Sequence, residues 1–293
     1  MKTLTVITTT YNRAYCLHRV YESLLRQTSD DFMWLIIDDG SSDNTKDLVE
    51  KWRVENRIKI EYYYKDNGGM HTARNMAYRK VYTPLNVVID SDDWMTDDAV
   101  EKIVYFWEKN KSDCYSGIIS NNMNKEGDMI GAPLPSGVKS CKSRDLREKY
   151  HVNGDKKLIF RSELTRRYPY PEFSGEKFYP ASYKFILLDQ DYEMLLMNDY
   201  TCVVDYNEDS MTFNKFSQYK SCCRGFSHFR NEIIRITDSP KYIIKNMIHY
   251  IAECKFAHTR HYIRKSSKPG YAVICWIPGQ LYYIYLIHTR KKY

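Results

Sequence analysis

Apolar, β-rich runs alternate with helix-spaced apolar positions over the first third of the chain. Residues 4–9 (LTVITT) and 32–37 (FMWLII) predict two strands, and residues 58–64 (IKIEYYY), 85–89 (LNVVI) and 115–120 three more. Between them, residues 17–27, 45–53, 70–82 and 97–110 place apolar side chains at helical intervals. Thr96, just ahead of Asp97 and Asp98, predicts an oxygen-capped start to the last of these helices. Such alternation implies an α/β fold, a largely parallel sheet with helices on both faces. The strand ends of a parallel sheet share one edge, where ligands bind. The segments that follow the strands are 9–12, 38–43, 65–75 and 90–93, all rich in Asp, Asn, Thr, Gly or Arg, and all are expected on that edge.

Beyond residue 114 the pattern loosens, with turns at 131–135 and a Pro/aromatic stretch at 168–180. Residues 187–194 (LLDQDYEM) read as a helix, and a helical, aromatic part follows from about Met211. Ser239 and Pro240 suit a helix entry, serine as cap and proline in the first turn. This divides the chain into an α/β domain over 1–210, with halves 1–110 and 111–210, and a helical extension over 211–293.

The 293 residues are 43% hydrophobic and 28% charged, the composition of an ordinary globular protein. The first ten residues run straight into a strand pattern, so no export signal is expected. The eight cysteines show no CxxC spacing, which argues against a zinc site or a disulfide framework. The net charge of +7 at first suggests nucleic acid, but its distribution excludes that reading. Residues 239–293 hold ten Lys/Arg and one acid, Glu253, so they carry +9 and the remaining body −2. A slightly acidic body with a basic, aromatic tail implies a tether, not a nucleic-acid groove.

Three segments carry candidate chemistry. Asp90-Ser91-Asp92-Asp93 crowds carboxylates that repel one another, and a divalent cation with oxygen preference, Mg²⁺ or Mn²⁺, is the natural compensation. Asp39, after the second strand, can accept hydrogen bonds from a nucleobase or ribose, with Gly40 turning the chain. Asn67-Gly68-Gly69 permits close backbone approach, and Arg74 lies early in the following helix, which suits a phosphate-bearing ligand. Each segment alone also fits a bland reading: a solvated turn, an Asp-Gly turn, a loop with a surface arginine.

Together, TVITTTYNRAYCL, SLLRQT, FMWLIIDDGSSDNT, NGGMHTARN and VIDSDDW resemble the bacterial family-2 glycosyltransferases of GT-A fold over about residues 3–110. The resemblance continues more weakly through residues 175–178 (GEKF), 206–212 (YNEDSMT) and 225–230 (GFSHFR), in the order of capsule and cell-surface polysaccharide transferases. It implies a nucleotide-diphosphate sugar donor, UDP-linked by family habit, and a glycan or lipid-linked acceptor hydroxyl. Residues 1–110 would be the donor half and 111–210 the acceptor half. By resemblance, Thr9, Tyr11 and Asp39 contact base or ribose. Asp90, Asp92 and Asp93 hold ribose and metal, and Asn67, Gly68, Gly69 and Arg74 line the donor. It also implies inversion by direct displacement, with a carboxylate as base. Relatives often carry Gly-Glu-Asp there; this chain reads Gly175-Glu176-Lys177, so Glu176 is the candidate, with Asp189 and Asp191 in reserve and an ion pair as its bland alternative. His228, with Arg224 or Arg230, is a candidate diphosphate contact, against packing among aromatics.

Other classes remain. A sugar nucleotidyltransferase would share sheet, carboxylates and metal, but TTTYNRAYC lacks the glycine-rich loop such enzymes carry after the first strand. A non-catalytic sugar- or membrane-binding scaffold is the third. The tail predicts a peripheral site on the cytoplasmic face of a membrane. Ile243, Ile244, Met247, Ile248 and Ile251 form one helix side. The uncharged run 271–287, too short to span and broken at Pro278–Gly279, is expected to lie in the interface as two short pieces. Trp276, Tyr282, Tyr283 and Tyr285 would sit at the headgroups, with Arg290–Lys292 meeting anionic lipids. A packed appendage or a homodimer contact is the other use of such a surface.

Overall fold

The computed structural model describes residues 2–205 and 219–288. Residues 206–212, the expected start of the helical part near Met211, and Arg290–Lys292 lie outside the described residues. The chain forms two compact units, Met1–Tyr170 with Lys184–Asn207, and Pro171–Tyr183 with Glu208–Tyr293.

In the first unit, nine strands among the described residues make one sheet. They are β1 Leu4–Thr10, β2 Phe32–Asp38, β3 Ile60–Tyr64, β4 Leu85–Val88, β5 Trp94–Met95, β6 Tyr115–Met123, β7 Ser140–Cys141, β8 Lys156–Arg161 and β9 Glu193–Val203. Their order is β3-β2-β1-β4-β8-β6-β9-β5, with β7 on β9. β3, β2, β1 and β4 are mutually parallel; β8 runs against both β4 and β6, and β6 pairs with β9 in parallel. Six of the nine strands therefore point the same way, and the sheet is mostly parallel. The four helices that follow the early strands are α1 Ala14–Leu25, α2 Thr45–Glu55, α3 Met70–Lys80 and α4 Ala99–Asn110.

β2 is buried at every position, as befits a strand covered on both faces. Trp34 is fully buried, stacks with Tyr21 at 6.1 Å and donates its indole N–H to Thr8 Oγ1 at 3.0 Å, so this large side chain leaves no polar atom stranded. Gly117 lets β6 approach β8: a methyl there would stand 1.9 Å from the Ile159 carbonyl oxygen.

Two local expectations fail. Thr96 does not cap α4; its hydroxyl donates to the Tyr200 carbonyl, and Gln27 Oε1 accepts the Val100 amide instead. The helix read over 187–194 stops at Leu188, because Glu193 and Met194 already belong to β9. Pairing along β6 outweighs the helical spacing there.

The second unit contains helices Cys223–Ile236, Pro240–Phe256, Tyr262–Lys265, Pro269–Ile274 and Trp276–His288. Ile243, Met247 and Ile251 join Ile234, Tyr250, Ala272 and Cys275 in its core, while Ile244 is exposed. The expected apolar side of helix 240–256 is thus largely used in packing. Pro278 does not break the last helix, since it falls in that helix's first turn, where a proline costs no hydrogen bond. The interruption comes earlier, at Cys275. Glu253 is wholly buried against Arg230, whose guanidinium also reaches Asn246 and Tyr219.

Burial lifts the Glu253 carboxyl from 4.5 to about 7, against the pull of Arg230. The native chain therefore holds a proton that the unfolded chain has lost between those values, so this group's stabilisation is full below about 4.5 and fades as pH rises toward 7. Thermal unfolding of Glu253→Gln, compared with wild type across that window, is expected to show a flatter fall; parallel profiles would refute the assignment.

Candidate donor site at the carboxyl edge of the parallel strands

Register fixes the edge. Thr10 lies opposite Asp38, Asp38 opposite Tyr64, and Ile7 opposite Val88. The chain leaves β1, β2, β3 and β4 on the same side, so Tyr11, Asp39, Asn67 and Asp90 gather there. The first two loops are stitched together: Asn12, in a left-handed conformation, offers its amide N–H to Ser41 Oγ at 2.8 Å and accepts from the Ser42 amide at 2.8 Å. Tyr11 is half exposed on this rim, and Thr9 is partly buried at the end of β1.

Asp39 is the buried keystone. Its carboxylate accepts from the amides of Gly68 (3.0 Å) and Gly69 (2.7 Å), from Lys65 Nζ (2.6 Å) and from Asn67 Nδ2 (3.3 Å). Gly69 has φ +92° and Gly40 φ +88°, and a methyl on Gly40 would sit 2.7 Å from the Asn67 amide nitrogen, so neither place admits a side chain. The carboxylate expected to meet base or ribose is here engaged within the chain. Its acceptor positions are taken up by shaping the Asn67–Gly69 loop over the start of α3.

The acidic cluster departs from expectation in an instructive way. Each carboxylate has a basic neighbour: Asp90 receives a hydrogen bond from Arg74 Nη2 at 3.0 Å, Asp92 stands 3.6 Å from Arg13 Nη1, and Asp93 stands 3.6 Å from Lys157 Nζ. The chain compensates these charges by itself, so repulsion does not demand a cation. Burial raises the Asp92 carboxyl, helped by the charge of Asp90, and raises Asp93 to about 7. Asp93 is buried and faces Lys157 on β8, which makes it the poorest ligand of the three. Asp90 and Asp92 are more open, with side chains 48% and 21% exposed. Among the described residues no group of three or more His, Cys, Asp or Glu side chains is arranged to hold a metal. Asp90 and Asp92 present the oxygen donors that Mg²⁺ or Mn²⁺ prefers, though two carboxylates alone do not complete a coordination shell.

The chain matches the model of glycosyl transferase family 2 over residues 5–168, more than half its length. It belongs to that family. An uncharacterized glycosyltransferase of Rickettsia conorii is 33% identical over 147 residues, 47% of this chain and 24% of the relative. The poly(ribitol-phosphate) β-N-acetylglucosaminyltransferase TarP of Staphylococcus aureus is 31% identical over 119 residues, 40% of this chain and 36% of TarP. The chain thus spans only about a quarter to a third of the length of these relatives. Among solved structures, S. aureus TarS residues 1–349 with UDP-GlcNAc aligns at TM-score 0.61 and 19% identity, covering 90% of this chain and 76% of that one. A mannosyltransferase of Pyrobaculum calidifontis with GDP-Man and Mn²⁺ aligns at TM-score 0.57 and 15% identity, covering 96% and 86%. The fold of this family-2 glycosyltransferase is GT-A.

The remaining candidates have structural partners. Asp189 is buried and accepts from the Ser143 amide and hydroxyl and the Arg144 amide, holding the start of helix Ser143–Glu148; Asp191 sits on an exposed turn. Glu176, His228, Arg224 and Arg230 belong to the second unit. Glu176 is buried, Oε1 accepting from the amide and Nε of Arg224 and Oε2 from the Gly225 amide at 2.7 Å, so the ion pair exists and anchors helix 223–236. His228 shares a hydrogen bond with Tyr179 (2.9 Å) among Phe173, Tyr179 and Tyr183, and burial lowers its pKa. A neutral, packed ring does not suit a diphosphate contact, and Arg230 is committed to Glu253. Lys65, Arg13 and Lys157 were not foreseen; for Lys157 the signal was a pair of lysines opening the apolar strand KKLIF.

Removing the Asp39 carboxylate strands several donors at once. Asp39→Ala is expected to cost about 2–4 kcal/mol in urea unfolding, and Asp39→Asn less, because the amide keeps one acceptor. A loss under about 0.5 kcal/mol for both would show that the loop holds itself.

Proposed function

We propose that this protein transfers a sugar from a nucleotide-diphosphate donor, UDP-linked, to a hydroxyl of a glycan or lipid-linked acceptor in surface polysaccharide synthesis, on the cytoplasmic side of the membrane. The observation that carries this is the convergence on one edge of the Asn67–Gly69 loop, the start of α3, Arg74 and the two open carboxylates. TarS, alike in fold, was solved with UDP and with UDP-GlcNAc, which supports the donor class. Membership of family 2 favours a transferase over a sugar nucleotidyltransferase.

In this reading the Arg74 guanidinium, early in α3, binds the negative donor and holds its leaving diphosphate in place, aided by the positive end of that helix. Asp92, with Asp90, would hold Mg²⁺ or Mn²⁺, which stabilises the charge that develops on the diphosphate. Asp39 acts through the loop as a positioning residue. Arg13 and Arg74 keep the two open carboxylates apart in charge, so an added cation exchanges one positive partner for another. Glu176 is assigned as the general base that takes the acceptor proton as displacement inverts the anomeric centre, because Asp189 is consumed as a helix cap. Oε1 of Glu176 accepts two bonds from Arg224, whereas Oε2 accepts one from the Gly225 amide and has a second lone pair for the acceptor proton.

Because the Asp90–Asp93 cluster offers two open carboxylates, metal and nucleotide are expected to bind together. Mn²⁺ alone should leave the melting temperature unchanged, while Mn²⁺ with UDP should raise it, and Asp92→Asn should abolish the joint shift. Undiminished sugar transfer in excess chelator would remove the metal from the mechanism. A protein that neither binds nor hydrolyses any nucleotide sugar is instead a scaffold.

Glu176→Gln separates base from anchor. As base, turnover should fall about 10²-fold or more with UDP binding and unfolding little changed. A stability loss of about 1–3 kcal/mol with proportionate loss of activity would make it an anchor only.

A further inference from the structure

The last helix, Trp276–His288, is largely apolar and carries no Asp, Glu, Lys or Arg, yet part of its apolar surface is uncovered. On the inner side, Gly279 and Leu286 are buried, Gly279 so tightly that a methyl would meet Ile251 at 2.6 Å. Tyr282 packs edge-on against His249 and Tyr283 against Phe256. On the outer side, Val273, Ile274, Ile277, Leu281, Ile284 and Tyr285 are between 49% and 72% exposed. Their spacing continues one stripe across helices 269–274 and 276–288. So continuous an exposed apolar stripe calls for a cover.

Charge decides what covers it. Residues 254–293 contain no acid and eight basic residues, among them Arg264, Lys265 and Lys268 just ahead of the stripe and Arg290, Lys291 and Lys292 just after it. A second copy meeting this face about a two-fold axis would bring basic flank against basic flank, which is repulsive. An anionic lipid surface matches both halves of the pattern, acyl chains for the stripe and headgroups for its flanks. Among the described residues no helix is long and apolar enough to cross a membrane.

We propose that the 273–287 stripe of the second unit docks in the plane of an anionic bilayer surface, lying on it without crossing it. Of the expected membrane surface this keeps the 271–287 run and drops Ile243, Met247 and Ile251, which the core already uses. The proposal rests on the exposed face alone and not on the catalytic reading, so each can fail without the other.

The test is flotation of the full chain with vesicles of phosphatidylcholine, and of phosphatidylcholine mixed equally with phosphatidylglycerol. Binding to the mixed vesicles, weakened by high salt, is expected, with little to the neutral ones. Ile277→Glu/Leu281→Glu should reduce binding about tenfold or more while UDP binding and the melting temperature hold, since both side chains face outward. Should the glutamates disturb folding, Ile277→Ser/Leu281→Ser gives the milder form of the same loss. Absent vesicle binding, equal binding to neutral vesicles, or full binding by both variants overturns the proposal. So does a dimer in sedimentation that the variants dissolve, since a second copy would then be the cover.

Discussion

Parallel strands ending on one edge bring acidic side chains together where water is scarce, and every such charge has to be compensated. This constraint organises the first unit. Asp39 is compensated by backbone amides and Lys65, and in accepting them it bends the Asn67–Gly69 loop into shape. Asp90, Asp92 and Asp93 each draw a basic side chain from a different part of the chain: α3, the loop after β1, and β8. The edge is therefore tied together by its own contacts without a ligand. A rim so tied spends less of its interaction energy on its own ordering when it binds.

Much of this was legible in the sequence because it is local. A strand buried on both faces shows as an unbroken apolar run, and the loop that follows it shows as Asp, Asn and Gly. That is why β1 to β4 and the placement of Asp39, Asn67 and Asp90 on one edge could be read directly. The charge partners were not legible. Lys157 lies 64 residues beyond Asp93, and only the pairing of β8 between β4 and β6 brings the two together. For the same reason the partners of Asp39 are not local: residue type announces an acceptor, but tertiary contacts decide what it accepts.

The helical unit taught the opposite lesson. Composition gave its character, basic and aromatic, whereas periodicity misassigned its faces. Helix 240–256 has an apolar side in projection, but Ile243, Met247 and Ile251 are consumed by Ile234, Ala272 and Cys275, which arrive from helices on either side in sequence. Pro278 looked like a break and is a helix start. Short helices that pack on one another leave the exposed face to whichever comes last.

β8 has a further consequence. It enters the sheet antiparallel, wedged between β4 and β6, and with it come Lys157 for Asp93, and Ser162 and Thr165 for the buried Asn86 side chain. The first hundred or so residues carry the recognisable motifs, yet they are not a transferable module. Cut off after α4, they would expose one side of β4 and leave Asp93 and Asn86 without their partners. The motif-bearing half thus depends for its closed sheet and its paired charges on a strand that lies well beyond it in the sequence.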